Sequence, residues 1–427
     1  MAGGAPMEGS GAEEAPDGKL TSYQRRLFVF LSVATFFEGY DFMALTQILP
    51  NLRQELALPP EASGYLVGFI NGGTMAAFWL VRRADVWGRA RTLTLTIVGY
   101  TLFTFASGLA PDVYTFAIMQ FIARIFLLGE WAISMMIAAE EFPASRRGMV
   151  IGVIQACSSL GSILCAGVVP LLLKTSYGWR SVYFVGVLPL IVLAVARRNL
   201  RETRRFEAVK HEETKSIMAI WKSPHRGRML ALAVIWFVAY IPAQNAVAFW
   251  KEFATGERGL TDGEVGLAIT IAAVGSMPFV FASGKLIDVL GRRRGAAVIF
   301  GIGGVGVVAC YTVSGFWPLT IALMSGIFAA SAYLPVLNAY STELFPTKAR
   351  GMAYAWSNNL LGRWGYILSP FVVGYLVAET GAFGPVVAAT GVFNILAIIL
   401  VFRLLPETTG RELEDTASMG DDEPATF

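Results

Sequence analysis

Apolar runs of roughly twenty residues recur from one end of the chain to the other, each about the length a helix needs to cross ~30 Å of hydrocarbon. Nothing else restricts the fold so strongly. Lipid offers no partner to open backbone N–H and C=O groups, so the runs must be helices. They are expected at 27–49, 63–81, 92–110, 113–138, 148–173 and 179–197, then at 228–250, 263–284, 295–314, 317–341, 351–377 and 383–405. These are called spans one to twelve below. Composition agrees: of 427 residues, 55% are hydrophobic and only 15% charged, too few charges to cover the surface of a soluble enzyme of this length. The 44 glycines suit close helix packing.

Several function classes drop out. A net charge of +3 gives no reason to expect nucleic acid. No Gly-x-x-x-x-Gly-Lys-Ser/Thr loop is present, so ATP is not the energy source. Cys157, Cys165 and Cys310 lie inside apolar runs and read as small buried hydrophobes. No Cys/His spacing fits a metal, no catalytic constellation appears, and no cofactor is expected. The first 19 residues are rich in Gly, Ala and Glu and are expected to be disordered. No signal peptide is visible, so span one is expected to be an uncleaved anchor.

Basic residues alternate between the two sides of the predicted layout. One side carries Arg25 and Arg26, then Arg82, Arg83, Arg89 and Arg91, then Arg146 and Arg147, the stretch between spans six and seven, Arg292–Arg294, Lys348 and Arg350. The opposite side has Arg53, Lys174, Arg180, Lys251 and Arg258. Positive residues stay cytoplasmic, so both termini and the central stretch are expected in the cytoplasm, in a plasma membrane (a bacterial inner membrane). The expected organisation is a cytoplasmic N-terminus 1–22, a six-helix bundle 23–197, a linker 198–227, a second bundle 228–405 and a cytoplasmic tail 406–427.

The halves repeat. Asp85-Val86-Trp87-Gly88-Arg89 recurs as Asp288-Val289-Leu290-Gly291-Arg292, and Glu140-x-x-Pro143-x-x-x-Arg147-Gly148 as Glu343-x-x-Pro346-x-x-x-Arg350-Gly351, both at an offset of 203 residues. Two unrelated motifs at one offset indicate a duplicated six-helix unit, with a solute site between the halves near mid-membrane. The fold class is therefore all-α: twelve transmembrane helices in two pseudo-symmetric six-helix bundles.

These paired motifs resemble the major facilitator superfamily over nearly the whole chain. The family loop Gly-x-x-x-Asp-Arg-x-Gly-Arg-Lys/Arg is kept in the second half as Gly284, Asp288, Gly291 and Arg292. In the first half Val81 and Val86 depart from it, which implies a weaker clamp there. Glu38-Gly39-Tyr40-Asp41-Phe42 is similar to span-one motifs of bacterial acid:proton symporters. Gly129-Glu130 resembles span four of sialate, nicotinate and dicarboxylate carriers. Gly362-Arg363-Trp364-Gly365 through Pro370 resembles span eleven of aromatic-acid symporters and organic-anion transporters. The tail Pro406-Glu407-Thr408-Thr409-Gly410-Arg411 is shared with sugar porters, but Gln244-Asn245-Ala246 lacks their Gln-Gln-x-x-Gly pattern. The resemblance implies an ion pair between Asp41 and Arg124 that loosens when Asp41 takes a proton.

Ionisable groups inside spans cost at least about 2.5–3.5 kcal/mol each and need partners or water. Glu38 and Asp41, three apart, share one side of span one, and two such carboxylates in a poor dielectric do not both ionise readily. With Arg124 and Glu130 they form the expected proton-coupling set; a permanent structural pair is the other reading. His211 and His225 lie in the central stretch, so a proton relay in the bundle must use carboxylates. Arg363 in span eleven is the candidate anchor for an anion, since a guanidinium binds carboxylate through two parallel hydrogen bonds and keeps its charge. Tyr40, Gln155, Tyr240, Gln244, Asn245, Tyr333, Asn338 and Asn359 are expected to complete the substrate cavity, beside Asn358, Trp250 and Trp356. Asp85, Arg89, Glu140, Arg147, Asp288, Arg292, Glu343 and Arg350 are expected to form cytoplasmic gating networks across helix ends.

The expected function is proton-coupled symport of a small organic anion, an aromatic carboxylate or sugar acid, by a monomer and without enzymatic activity. A sugar:proton symporter, a drug or organic-cation carrier, and a solute-binding sensor remain open.

Overall fold

The computed structural model describes residues 20–188 and 217–409. The expected N-terminal segment 1–22, linker 198–227 and tail 406–427 lie largely outside the described residues, as do the side chains of Asp85 and Arg147. The first six spans appear as helices Ser22–Glu55, Ala62–Trp87, Arg89–Gly108, Val113–Glu141, Ala144–Leu172 and, for span six, the short Arg180–Phe184. Span seven is Arg226–Ala248, extended by Trp250–Gly256; span eight is Asp262–Leu290 and span nine Arg292–Thr312. Span ten is built of Phe316–Ser331 and Tyr333–Glu343, and span twelve of Phe383–Ala389 and Val392–Leu404. Span eleven runs from Thr347–Tyr354 through a π-helical segment, Ala355–Gly362, into Arg363–Thr380.

Among the described residues ten helices are long and apolar enough to cross a membrane. Two expected spans are missing from that set for different reasons. Span six passes out of the described residues after Leu188. Span three is a full 20-residue helix, but threonines dilute its apolarity. They return their hydroxyls to the helix itself: Thr92, Thr94 and Thr101 donate to the carbonyls of Gly88, Ala90 and Ile97.

Helix starts follow local chemistry. Thr21 and Thr261 cap spans one and eight in reciprocal boxes with Gln24 and Glu264, and Asp112 accepts from the amides of Tyr114 and Thr115 at the head of span four. Glycine governs the tightest crossing. A Cβ on Gly39 would lie 1.9 Å from the Ser158 carbonyl oxygen, and one on Gly161 1.8 Å from that of Phe36, so spans one and five meet backbone to backbone. Spans seven and eleven repeat the arrangement, Gly365 against Phe237.

Three large apolar cores decide the shape. One lies within the first half and includes Leu27, Leu93, Ile133 and Ile154. Another lies within the second half and includes Met229, Trp236, Phe300, Tyr340 and Val401. The third joins the halves: Leu45, Leu49, Leu52, Leu66 and Val169 pack in one cluster with Phe249, Trp250, Phe253, Val265 and Val377. That shared core sits at the end poor in basic residues. The hydrogen bonds and ion pair that join the halves also involve residues 47–71 of the first half. The halves are thus joined at the charge-poor end, and each keeps its own core at the charge-rich end.

Candidate functional site

Span eleven leaves α geometry at Ala355–Gly362, and Arg363 follows that segment directly. A π turn widens the helix and sets residues five apart over one another, here Asn358 and Arg363; such turns concentrate at functional sites. The Arg363 guanidinium carbon lies 4.9 Å from the Tyr240 ring centre and 5.7 Å from that of Tyr366. Tyr240 donates its hydroxyl to Asn358 Oδ1 at 2.6 Å. Around Tyr240 stand Trp236, Tyr366 and Tyr333 with ring centres at 5.4, 5.6 and 5.9 Å, and Tyr354 packs on Trp236. The cation–π contacts hold the guanidinium with an energy on the order of 1 kcal/mol and leave its hydrogen-bonding edge unused. Among the described residues no carboxylate forms a salt bridge with Arg363, and its Nε has no hydrogen-bond partner. This aromatic basin with one uncompensated fixed cation is suited to a flat solute carrying a carboxylate.

The other expected cavity residues divide. Tyr333 belongs to the basin and Asn359 and Gln244 are half-buried, while Gln155 and Asn338 are exposed on spans five and ten. Two corrections are needed. Tyr40 is 1% exposed and donates its hydroxyl to the Val182 carbonyl, so it packs inside the first bundle rather than on a cavity wall. Asn245 is fully buried, its backbone carbonyl taken by the Tyr311 hydroxyl. Asn245 sits on a helix apolar nearly all round, where periodicity does not say which face is inward. Trp236, Tyr354 and Tyr366 were not anticipated. Two of them had a sequence signal: Trp236 is four residues before Tyr240 and Tyr366 three after Arg363, the spacings that share a helix face.

In the first half Glu38, Asp41, Arg124 and Glu130 are all buried, Glu130 completely. Glu38 accepts from the Ser158 hydroxyl at 2.8 Å, and Glu130 from that of Ser134 at 2.7 Å, leaving its second oxygen free. The expected Asp41–Arg124 ion pair is not formed. Neither Asp41 oxygen has a hydrogen-bond partner, and one lies 3.4 Å from where a Cβ on Gly186 would be, beside Thr104. Asp41 thus points into the bundle toward spans three and six. The Arg124 guanidinium instead covers the Phe42 ring at 4.8 Å, one amino group unpartnered. Glu38, Asp41 and Glu130 are thus buried in one bundle with the Arg124 guanidinium, and an ionised carboxylate without a partner is costly there.

At the charge-rich end the repeat becomes geometry. Arg89 reaches Glu140 at 3.4 Å, and its repeat partner Arg292 reaches Glu343 at 2.8 Å and Asp288 at 2.5 Å. Each network ties helices of one half to each other. In the second half the tail joins in: Glu407 accepts the backbone amides of Arg292 and Arg293 at 2.8 and 2.9 Å, and Thr408 donates to Glu343. Burial pushes the Glu407 carboxyl up, but the amides of Arg292 and Arg293 and the bonds from Thr409 outweigh it and bring the carboxyl down to about 2. Its folded value is depressed below the ordinary 4.5, so its contribution to stability is complete above that value and disappears as pH falls toward 2. Glu407→Gln therefore lowers Tm at pH 7, and the gap from the parent narrows in melts at progressively lower pH; an equal gap at pH 3.5 and pH 7 contradicts this.

A family model, the Major Facilitator Superfamily, matches residues 31–250 and 237–424. A Haemophilus influenzae protein described as a metabolite transport protein is 26% identical over 410 residues, covering 93% of this chain and 99% of its own length. The sialic acid transporter NanX of Escherichia coli is 23% identical, covering 88% and 93%. Other relatives carry names for niacin, cis,cis-muconate and gallate transport. The crystal structure of a D-xylose-proton symporter superposes with a TM-score of 0.70 at 20% identity, over 91% of this chain and 100% of that one, and so shares the fold.

Proposed function

Because the chain belongs to the Major Facilitator Superfamily and is a multi-pass membrane transporter rather than an enzyme, we propose that it carries a small organic anion together with protons by alternating access. Twelve spans, two six-helix bundles bounded as the sequence predicts, cytoplasmic termini and a bacterial inner membrane complete the reading, with the protein working as a monomer. The carrying observation is Arg363: a fixed cation in an aromatic basin, with no acidic partner among the described residues. A neutral solute would leave that charge uncompensated; a carboxylate satisfies it through two charge-assisted bonds. Relatives named for sialic acid, niacin and gallate support an acid as cargo.

Glu38, Asp41 and Glu130 are the proton carriers in this reading, and Arg124 is the group that responds. With Asp41 protonated, Arg124 is free to rest on Phe42, as here; with Asp41 ionised, the two attract, and the first bundle shifts with them. Residues Arg89, Glu140, Asp288, Arg292, Glu343 and Arg350, with Asp85 and Arg147, brace the cytoplasmic helix ends. The joined charge-poor end and separate charge-rich cores correspond to an inward-open state. The test is uptake of labelled aromatic monocarboxylates and sugar acids into proteoliposomes under an inward proton gradient. Accumulation that a protonophore abolishes is expected. Equal uptake with and without the gradient removes the coupling, and no uptake of any acid removes the cargo class.

A further inference from the structure

Arg124 repeats in the first half what Arg363 does in the second. It is 4% exposed, lies over an aromatic ring and leaves one amino group without a hydrogen-bond partner. Among the described residues no carboxylate forms a salt bridge with it. Glu38 is turned to Ser158, and both oxygens of Asp41 are unpartnered. The ring beneath Arg124, Phe42, is exposed, and Arg363 is half-buried. The two cations belong to different halves, yet they converge on Tyr366. Asn71 of span two donates to the Tyr366 carbonyl at 3.3 Å, and a Cβ on Gly73, two residues on, would lie 3.1 Å from Arg124 Cβ. Arg124 and Tyr366 thus flank one turn of one helix, on the order of 10 Å across. Arg363 is three residues before Tyr366, on the same face, its guanidinium carbon 5.7 Å from that ring centre. Both positive charges act on the Tyr366 hydroxyl, Arg124 more than Arg363.

We propose that Arg124 and Arg363 form a two-cation site, one guanidinium from each half, whose ligand is a small dicarboxylate with its acid groups at opposite ends of a flat spacer. The proposal rests on the organic-anion reading above and narrows it. Two guanidinia without acid partners repel each other in a poor dielectric, and a monoanion on Arg363 compensates only one of them. A second carboxylate satisfies the other through the same kind of charge-assisted bonds. Each arginine is held by its ring contact, which leaves the hydrogen-bonding edge open, so both forks are presented to carboxylate. Tyr366 lies between the two cations and suits a flat, apolar spacer. A monocarboxylate still binds, at Arg363 alone, and binds more weakly.

The test compares the ortho, meta and para benzenedicarboxylates with their own half-amides, in which one carboxylate is replaced by a carboxamide. Each pair matches in shape and differs by one charge near neutral pH. Affinities are read by titration calorimetry on the full-length protein in nanodiscs. At least one diacid should bind about tenfold or more tighter than its half-amide, the gain expected of a further charge-assisted contact. In Arg124→Gln that ratio should fall to within about twofold. In Arg124→Lys, which keeps the charge without the planar fork, a preference of about threefold should remain. The ratio is taken within one protein, so a general loss of affinity or stability cancels. Half-amides that bind as tightly as all three diacids overturn the two-cation site and leave the anion reading standing. A preference that survives Arg124→Gln in full overturns it too, because the second carboxylate then sits elsewhere. Binding of neither diacids nor half-amides refutes the anion reading itself, and the two-cation site with it.

Discussion

Arg363→Ala abolishes uptake of the anionic solute and weakens its binding at least about a hundredfold. Two charge-assisted hydrogen bonds at about 1.5–3 kcal/mol each are lost, and no described neighbour can replace them. The aromatic walls remain, because Tyr240, Tyr333 and Trp236 are packed against each other rather than hung on the arginine. Arg363→Lys restores only part of the affinity: an ammonium keeps the charge, but it has no planar fork to match a carboxylate and no flat face to lie on Tyr240. Binding read from ligand-induced thermal stabilisation and initial uptake rates should fall together. Unchanged binding in the alanine variant would assign the anion to another group.

Asp41→Asn is the second large effect. Asparagine is nearly isosteric and cannot exchange a proton, so the variant should bind solute and equilibrate it while failing to concentrate it. With an imposed gradient of about one pH unit and one proton per solute, the parent should accumulate cargo about tenfold, and the variant should stop at equal concentrations on both sides. Counterflow, in which internal and external solute exchange without net proton movement, should persist. Glu130 can be separated from Asp41 by the same pair of measurements. Its Ser134 bond lies within one helix, and Glu130→Gln should disturb accumulation less than Asp41→Asn if Asp41 is the coupled site. Full accumulation by Asp41→Asn would remove Asp41 from the proton path.

Much of this was legible in the chain itself. Apolar run length placed the helices, and the alternation of basic loops separated the two ends. The 203-residue offset reappears as the matched Arg89–Glu140 and Arg292–Glu343 bonds. Arg363 was visible because a guanidinium in an apolar run needs a reason to be there. What escaped has physical causes. The π turn before Arg363 shifts the facing of side chains, and no residue type marks such a turn. Asn245 sits on a helix without a polar face, so its direction follows from neighbours the sequence does not reveal. Asp41 and Arg124 were expected to meet, but helix spacing says nothing about whether Phe42 stands between a guanidinium and its acid. Lys251 and Glu252 lie at a span end, where charges ordinarily face water; only the opposite half, more than 180 residues away in sequence, buries them.

The pairing of a fixed cation with a carboxylate inside an aromatic basin can be tested by comparing an aromatic monocarboxylate with its own carboxamide, equal in shape and lacking the charge. Thermal unfolding of the purified protein should shift upward with the acid and stay in place with the amide, since only the former binds the native state well enough to stabilise it by mass action. The difference should vanish in Arg363→Ala. Equal shifts from acid and amide in the parent protein, or a difference that survives the loss of Arg363, would contradict the account.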